Sequence, residues 1–180
     1  MDLYLTEPVA PFHTAARITN TFTTKQDVSP SPLPVILAGR LRAGTKLIVR
    51  AGGDYSSLTA AVLTLGFWFG TRQGTITGDL ALAGAFTAGT TPAAWPWWME
   101  WHGLCTGVGT AGSVLGQGQI QFGSSLTAFN AEAPLPVTQA LRTVTIDTTI
   151  ERAIGVSATW GASSASNQIT VSQHTVLILN

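Results

Sequence analysis

The stretch that most restricts the fold is the carboxyl end, residues 154 to 179: I-G-V-S-A-T-W-G-A-S-S-A-S-N-Q-I-T-V-S-Q-H-T-V-L-I-L. Ile154, Val156, Ala158 and Trp160 share one parity, and Gly155, Ser157 and Thr159 share the other. Strand side chains alternate between two faces, so this spacing predicts a half-buried strand and no helix. Residues 161 to 167 are small and polar, as a strand connection requires. The second arm restarts with Ile169 and Val171 inward and Thr170 and Ser172 outward. From Val176 to Leu179 both parities are apolar. Such a strand is expected either at the centre of a packed sandwich or under another subunit.

The rest of the chain follows the same punctuation. Residues 1 to 16 carry Pro8 and Pro11 and little periodicity, and are expected to form an extended arm. Residues 17 to 24 suit a short Thr-rich strand. Pro30, Pro32 and Pro34 fall at every second position. They exclude helix and supply no ladder donors, so residues 29 to 34 read as an extended link on the surface. Domain organisation is therefore expected as an arm and link over 1–32 and one β domain over 33–180.

Leu33 to Arg50 reads as strand, Gly turn, strand. Residues 58 to 71 are apolar on both parities, with Leu63, Leu65, Phe67 and Phe69 on one face and Val62 and Trp68 on the other. Asp79 to Phe86 is a weaker strand. Residues 106 to 118 are Gly-dense and read as a connection, and Gln119 to Phe122 resumes a strand. Val137 to Leu141 is the only helical hint. Thr143 to Ile150 alternates cleanly, with Val144, Ile146 and Ile150 inward. The total is roughly eight to ten short strands spaced by turn signals, which predicts an all-β sandwich or barrel.

Charged residues make up 10% of the chain and the formal net charge is zero. Typical domains carry ~25% charged residues, so long-range attraction to nucleic acid or to an anionic membrane is not expected. So uncharged a surface, with its dry final strand, predicts burial against further chains. The opening residues, Met-Asp-Leu-Tyr-Leu-Thr-Glu-Pro, lack a basic start followed by an apolar run, so no signal peptide is expected. The longest apolar run, near residues 60 to 69, is about half the ~20 residues of a membrane helix. Synthesis in a cytoplasm is the expectation.

Candidate chemistry is sparse. The nine acidic residues are scattered singly. Asp147 and Glu151, the closest useful pair, would lie about 13 Å apart along a strand, too far for paired acid and base work. His13, His102 and His174 have no metal-ligand spacing, and Cys105 is the single cysteine. Beside His102 it invites comparison with a nucleophile pair, although a free cysteine in an apolar strand is ordinarily a core residue. G-V-G-T-A-G at 107–112 lacks the helix that a dinucleotide fingerprint requires. No catalytic residue, metal or cofactor is expected.

Four of six tryptophans lie in W-P-W-W-M-E-W-H-G-L-C, residues 95 to 105. Trp95, Trp97, Met99 and Trp101 share a parity; Trp98, Glu100 and His102 take the other. Three readings compete: a core and subunit-interface belt, a sugar-stacking platform, and anchors for a protein partner. Trp95, Trp97, Trp101, Val176 and Ile178 are the candidates for an oligomer interface.

Residues 35 to 53, V-I-L-A-G-R-L-R-A-G-T-K-L-I-V-R-A-G-G, resemble the opening strands of small structural proteins of tailed bacteriophages. Residues 160 to 179 are similar to the closing hairpin of that group, and L-T-L-G-F-W-F-G-T at 63–71 to its central strand. The resemblance implies a tumour-necrosis-factor-like jelly roll that associates as a homotrimer, without enzymatic activity. It implies a place on the virion, as a capsid decoration protein clamping the major capsid protein. A fibre domain recognising a host glycan or protein through the Trp cluster is the alternative. In the first case Leu3, Tyr4, Leu5 and Phe12 of the arm would contact the capsid.

Overall fold

A computed structural model describes residues 16–19, 22–57, 61–88, 92–125 and 128–179. Among the described residues are thirteen strands and one 3-10 turn, Gln139–Arg142. The strands form two antiparallel sheets packed as a β-sandwich.

The larger sheet runs β1 (Ala16–Thr19), β13 (Gln168–Leu179), β4 (Lys46–Ser56), β8 (Trp95–Gly107), β9 (Gly112–Ser125), β10 (Ala128–Leu135), with β11 (Thr143–Ile146) also paired to β9. The smaller sheet runs β2 (Gln26–Asp27), β12 (Arg152–Trp160), β5 (Val62–Gly70), β6 (Ile76–Leu82). In it β3 (Val35–Ile36) joins β12 and β7 (Phe86–Thr87) joins β5. The pairings are nested: β1 with β13, β2 and β3 with β12, β4 with β8, β5 with β6. First pairs with last and second with second-last, which is the winding of a jelly roll. β9, β10 and β11 are inserted between β8 and β12 and widen the larger sheet, so the strand count exceeds the eight to ten expected.

The core lies between the inner faces. Leu47, Val49, Trp97, Met99, Trp101, Ile120 and Phe122 come from the larger sheet; Leu63, Leu65, Phe67, Ile154, Val156 and Trp160 come from the smaller. Each such aliphatic or Phe side chain contributes about 1.5–3 kcal/mol on burial. At one end Phe86 stacks on Phe122 with ring centroids 4.1 Å apart, and Tyr55 meets both rings edge-on. The Tyr55 hydroxyl donates to the Gly123 carbonyl at 2.7 Å, and burial pushes its pKa up to about 12.

Several expectations change. The Gly-dense residues 106–118 are mostly strand, and the inward Gly116, with Gly103 opposite it on β8, makes room for one ring. A Cβ on Gly103 would lie 2.2 Å from the Trp101 ring, and one on Gly116 would lie 2.0 Å from it. The strand expected over 143–150 stops at Ile146. Asp147 Oδ1 accepts hydrogen bonds from the backbone N–H of Thr149 at 2.9 Å and from its hydroxyl at 2.6 Å. That local turn competes with the ladder and leaves Ile150 exposed. The helical hint at 137–141 becomes the 3-10 turn.

The boundary expected at residue 33 does not mark where the sandwich begins. β1 and β2 precede it, and Phe22 and Val28 are buried. β2 and β3 pair with the same strand, β12, so residues 26–36 form one interrupted edge strand with the prolines in the gap. In that gap the Val156 N–H donates to Ser29 Oγ at 2.7 Å in place of a ladder carbonyl. Trp68 Nε1 donates to Asp27 Oδ1 and to the Val156 carbonyl, each at 3.1 Å. The arm contacts expected for Leu3, Tyr4, Leu5 and Phe12 lie outside the described residues.

Candidate functional site

The register of the larger sheet fixes its outer face row by row. Gly52 of β4, Trp98 of β8, Gln121 of β9 and Glu132 of β10 form one row. The next holds Thr175, Arg50, Glu100, Gln119 and Pro134; the next Leu177, Ile48, His102 and Gln117; the last Leu179, Lys46, Leu104, Leu115 and Thr143. The face is thus divided into a polar half around Trp98 and an apolar half around Leu104.

In the polar half the side chains hold one another. Trp98 Nε1 donates to Gln121 Oε1 at 2.8 Å, and Gln121 Nε2 donates to Glu132 Oε1. Arg50 Nε donates to Glu100 Oε2, and His102 Nε2 bonds Glu100 Oε1. Partial burial acts to raise the Glu100 pKa, but the hydrogen bonds from His102 and Arg50 outweigh it and hold the carboxyl below its ordinary range. Beside them is a depression of about 310 Å³ lined by Glu100, His102, Gln117, Gln119, Pro134 and Arg142.

In the apolar half Leu104 is 38% exposed and Leu115 45% exposed, while Ile48, Leu177 and Leu179 are half-buried. A second depression, of about 480 Å³, is lined by Lys46, Ile48, His102, Leu104, Leu115 and Arg142.

Most of the residues singled out for an oligomer interface lie elsewhere. Trp97, Trp101, Val176 and Ile178 are buried inside a single copy, so they are not available to a second one. For β8 the inward parity is the tryptophan-rich one: Trp97 Nε1 donates to the Thr170 carbonyl at 3.2 Å, and Trp101 is wedged between Gly103 and Gly116. Trp95 is half-buried, edge-on to Tyr55 at 6.3 Å. For β13 the reason is a bulge. Val171 pairs with Gly53 and Gln173 with Gly52, so Ser172 is the extra residue. The bulge inverts the parity downstream, turning His174, Val176 and Ile178 inward and Leu177 and Leu179 outward. The Trp-cluster recognition surface therefore reduces to Trp98 and the exposed part of Trp95.

The chemical pairs suggested by the sequence do not assemble. Cys105 faces the core, its Sγ donating to the Gly107 carbonyl at 3.3 Å, while His102 points to the outer face. Asp147 is held by Thr149 and pairs with Arg152 at 3.9 Å, and Glu151 pairs with Arg72 at 2.9 Å. Residues 108–111 are the tip of the β8–β9 hairpin. Among the described residues no three metal-ligating side chains converge. A depression of about 910 Å³ lies beside the interrupted edge strand, lined by Asp27, Pro30, Pro32, Leu33, Arg40 and Arg72. Burial raises the Asp27 pKa against opposing hydrogen bonds from Ser29 and Trp68. Its carboxylate ties β2 to Trp68, and Arg72 is committed to Glu151.

The residues missed from sequence are Ile48, Leu104, Leu115, Leu177 and Leu179, with Gln119, Gln121 and Glu132. The run Q-G-Q-I-Q at 117–121 carried a usable signal, three amides on one parity.

No family profile and no curated protein matches the sequence. Among solved structures, the chain is similar to the CBM2 module of the evolved Dit of Lactobacillus casei BL23 phage J-1, at 11% identity and a TM-score of 0.33. The overlap covers 81% of this chain and 68% of that one. An overlap that loose carries neither a detailed fold nor a ligand from one protein to the other.

Proposed function

We propose that this chain is a non-enzymatic bacteriophage virion component, a jelly roll that forms homotrimers and decorates the capsid surface. One observation carries the reading: the apolar half of the outer face, where Ile48, Leu104, Leu115, Leu177 and Leu179 lie together on four adjacent strands. Patches of contiguous apolar side chains on a folded surface mark contacts with other chains. Lys46 lies within the patch and Arg142 at its border, and the aliphatic stem of such a side chain can lie flat while its charged end reaches water. The nested strand pairing agrees with the resemblance of residues 35–53 and 160–179 to phage jelly-roll proteins. Decoration then acts by mass action: a protein that binds only the assembled lattice of the major capsid protein stabilises that lattice.

The test is the mass of the purified chain in dilute solution, followed by co-sedimentation with empty capsids. A trimer is expected for the wild type, and Leu104→Glu dissociates it while leaving the melting curve of the separated copies intact. A wild type that is monomeric at micromolar concentration overturns the trimer. For the arm, the truncation must stop at residue 14, because β1 and the buried Phe22 follow. A truncated trimer that binds capsids as well as the full chain removes the arm from the mechanism.

A further inference from the structure

We propose that the polar half of the larger sheet's outer face binds a neutral oligosaccharide. The ligand class follows from what the rows present. A pyranose ring has apolar C–H faces and a rim of hydroxyls that donate and accept. Trp98 supplies an apolar plane fixed at its edge by Gln121, and around it stand planar polar groups that can meet a hydroxyl rim in either sense: Gln119, Gln121, Glu132, Glu100 and Arg50. Neighbouring strands lie about 4.8 Å apart, close to the width of one sugar ring. A glycan laid across the strands from Trp98 to Glu132 would therefore meet one side chain per ring.

Charge selects a neutral ligand. Glu100 is offset by Arg50, the amides of Gln117, Gln119 and Gln121 carry no charge, and the exposed Glu132 leaves the rows with a surplus negative charge that disfavours an acidic ligand. The strip has no row of unpaired cations for a phosphate or sulfate polymer, whose binding depends on such contacts. The site is also set in advance. Trp98, Gln121 and Glu132 are bonded in series, as are Arg50, Glu100 and His102, so for these groups little side-chain freedom is lost on binding. The adjoining depression, about 310 Å³, lies at the lower end of the ~300–1,000 Å³ range of small-ligand clefts. The inference depends neither on the oligomer nor on a capsid.

The experiment applies the full-length protein to an array of neutral and acidic oligosaccharides. The strongest hit is then titrated while the indole N–H resonance of Trp98 is followed. Capture of neutral glycans is expected, with that resonance shifting on titration. Trp98→Ala lowers affinity about tenfold, the scale of one aromatic contact. Gln119→Ala, at an exposed position that does not threaten folding, lowers it by a smaller factor. Val108→Ser at the hairpin tip changes nothing. Failure to capture any neutral glycan overturns the proposal. So does binding that survives both Trp98→Ala and Gln119→Ala, or capture of acidic glycans alone that is abolished by salt.

Discussion

The packing around Trp101 makes a sharp prediction. Its indole is fully buried and fills the space opposite two glycines on paired strands, Gly103 of β8 and Gly116 of β9. A methyl at Gly116 would meet Trp101 Cζ2 at 2.0 Å and Cε2 at 2.3 Å, well inside van der Waals contact. The ring has little room to shift, since it also lies against Gly103, where an added Cβ would come within 2.2 Å of it. Overpacking of a rigid core costs typically 1–3 kcal/mol, and a double clash belongs at the top of that range, about 3 kcal/mol. For a chain of this size that lowers Tm by roughly 6–12 °C, read by thermal melts at one fixed protein concentration. The decisive arm is the double mutant. Trp101→Ala alone destabilises by about 3–5 kcal/mol through the cavity it leaves. Adding Gly116→Ala to it costs almost nothing further, because the atom it struck is gone and strand glycines are themselves unfavourable. The coupling energy of the cycle is then about 3 kcal/mol of relief. A Gly116→Ala protein as stable as wild type, or a penalty undiminished in the Trp101→Ala background, would refute the packing argument.

Two further outcomes follow. Deleting Ser172 removes the bulge yet keeps every later side chain of β13 on its present face, so it costs only its hydrogen bond to the Gly52 carbonyl, about 1 kcal/mol. Deleting Thr175 instead turns Val176 and Ile178 outward and moves Leu177 and Leu179 into their inward positions, which costs about 1–3 kcal/mol for the larger side chain at the Val176 position and under ~1.5 kcal/mol for the Leu-for-Ile exchange; a Ser172 deletion that lowers the denaturant midpoint more than the Thr175 deletion would contradict the register. Asp27, whose folded-state pKa is raised by burial, retains its proton to higher pH in the native state than in the unfolded chain. The wild type therefore loses stability relative to Asp27→Asn as pH rises from the ordinary carboxylate value through the raised one, and the difference is constant above it; a difference in denaturation free energy that is flat across that window, or grows with pH, would be the contrary result.

Alternation within single strands was readable without coordinates, and it separated the faces of Leu63 to Phe69, Ile154 to Trp160 and β8; it did not show that β12 is buried on both parities, nor that the Trp97 and Trp101 face of β8 is the core. What alternation could not supply was pairing. The bulge at Ser172 is a mismatch between β13 and β4, invisible in either strand alone, and it moved Val176 and Ile178 from the expected interface into the core. The Gly-dense residues 106–118 carry turn chemistry by composition, which Gly109 fulfils at the hairpin tip, but Gly116 answers to the Trp101 ring on the same hairpin. The prolines at 30, 32 and 34 supply no ladder donors, as read, although the Pro34 carbonyl accepts from the Ile154 N–H at 3.0 Å. That they fill the gap of an edge strand depends on β12, more than a hundred residues later. The candidate site was half legible: the parity of Trp98, Glu100 and His102 and the amides at 117, 119 and 121 could be read separately. Only the β8–β9 register sets them side by side.

The division of the outer face bears on how both proposed contacts can coexist. The smaller sheet offers little on its own outer side near Trp68, which is buried against Gly155 with Asp27 and Ser29 at its indole edge. The larger sheet presents two chemistries on one plane, separated by the row of Ile48 and His102. A copy packed onto Leu104, Leu115 and Leu179 gains from removing apolar surface from water. A copy packed onto Gln119, Gln121 and Glu132 would strip water from the exposed Gln119 amide and the exposed Glu132 carboxylate and would need to replace it bond for bond. Association therefore favours the apolar rows and leaves the Trp98 rows wet, where a hydroxylated ligand exchanges one set of hydrogen bonds for another at small cost. The same sheet can thus cohere with its own kind through one half and stay open to a ligand through the other, with His102 and Arg142 on the border between them.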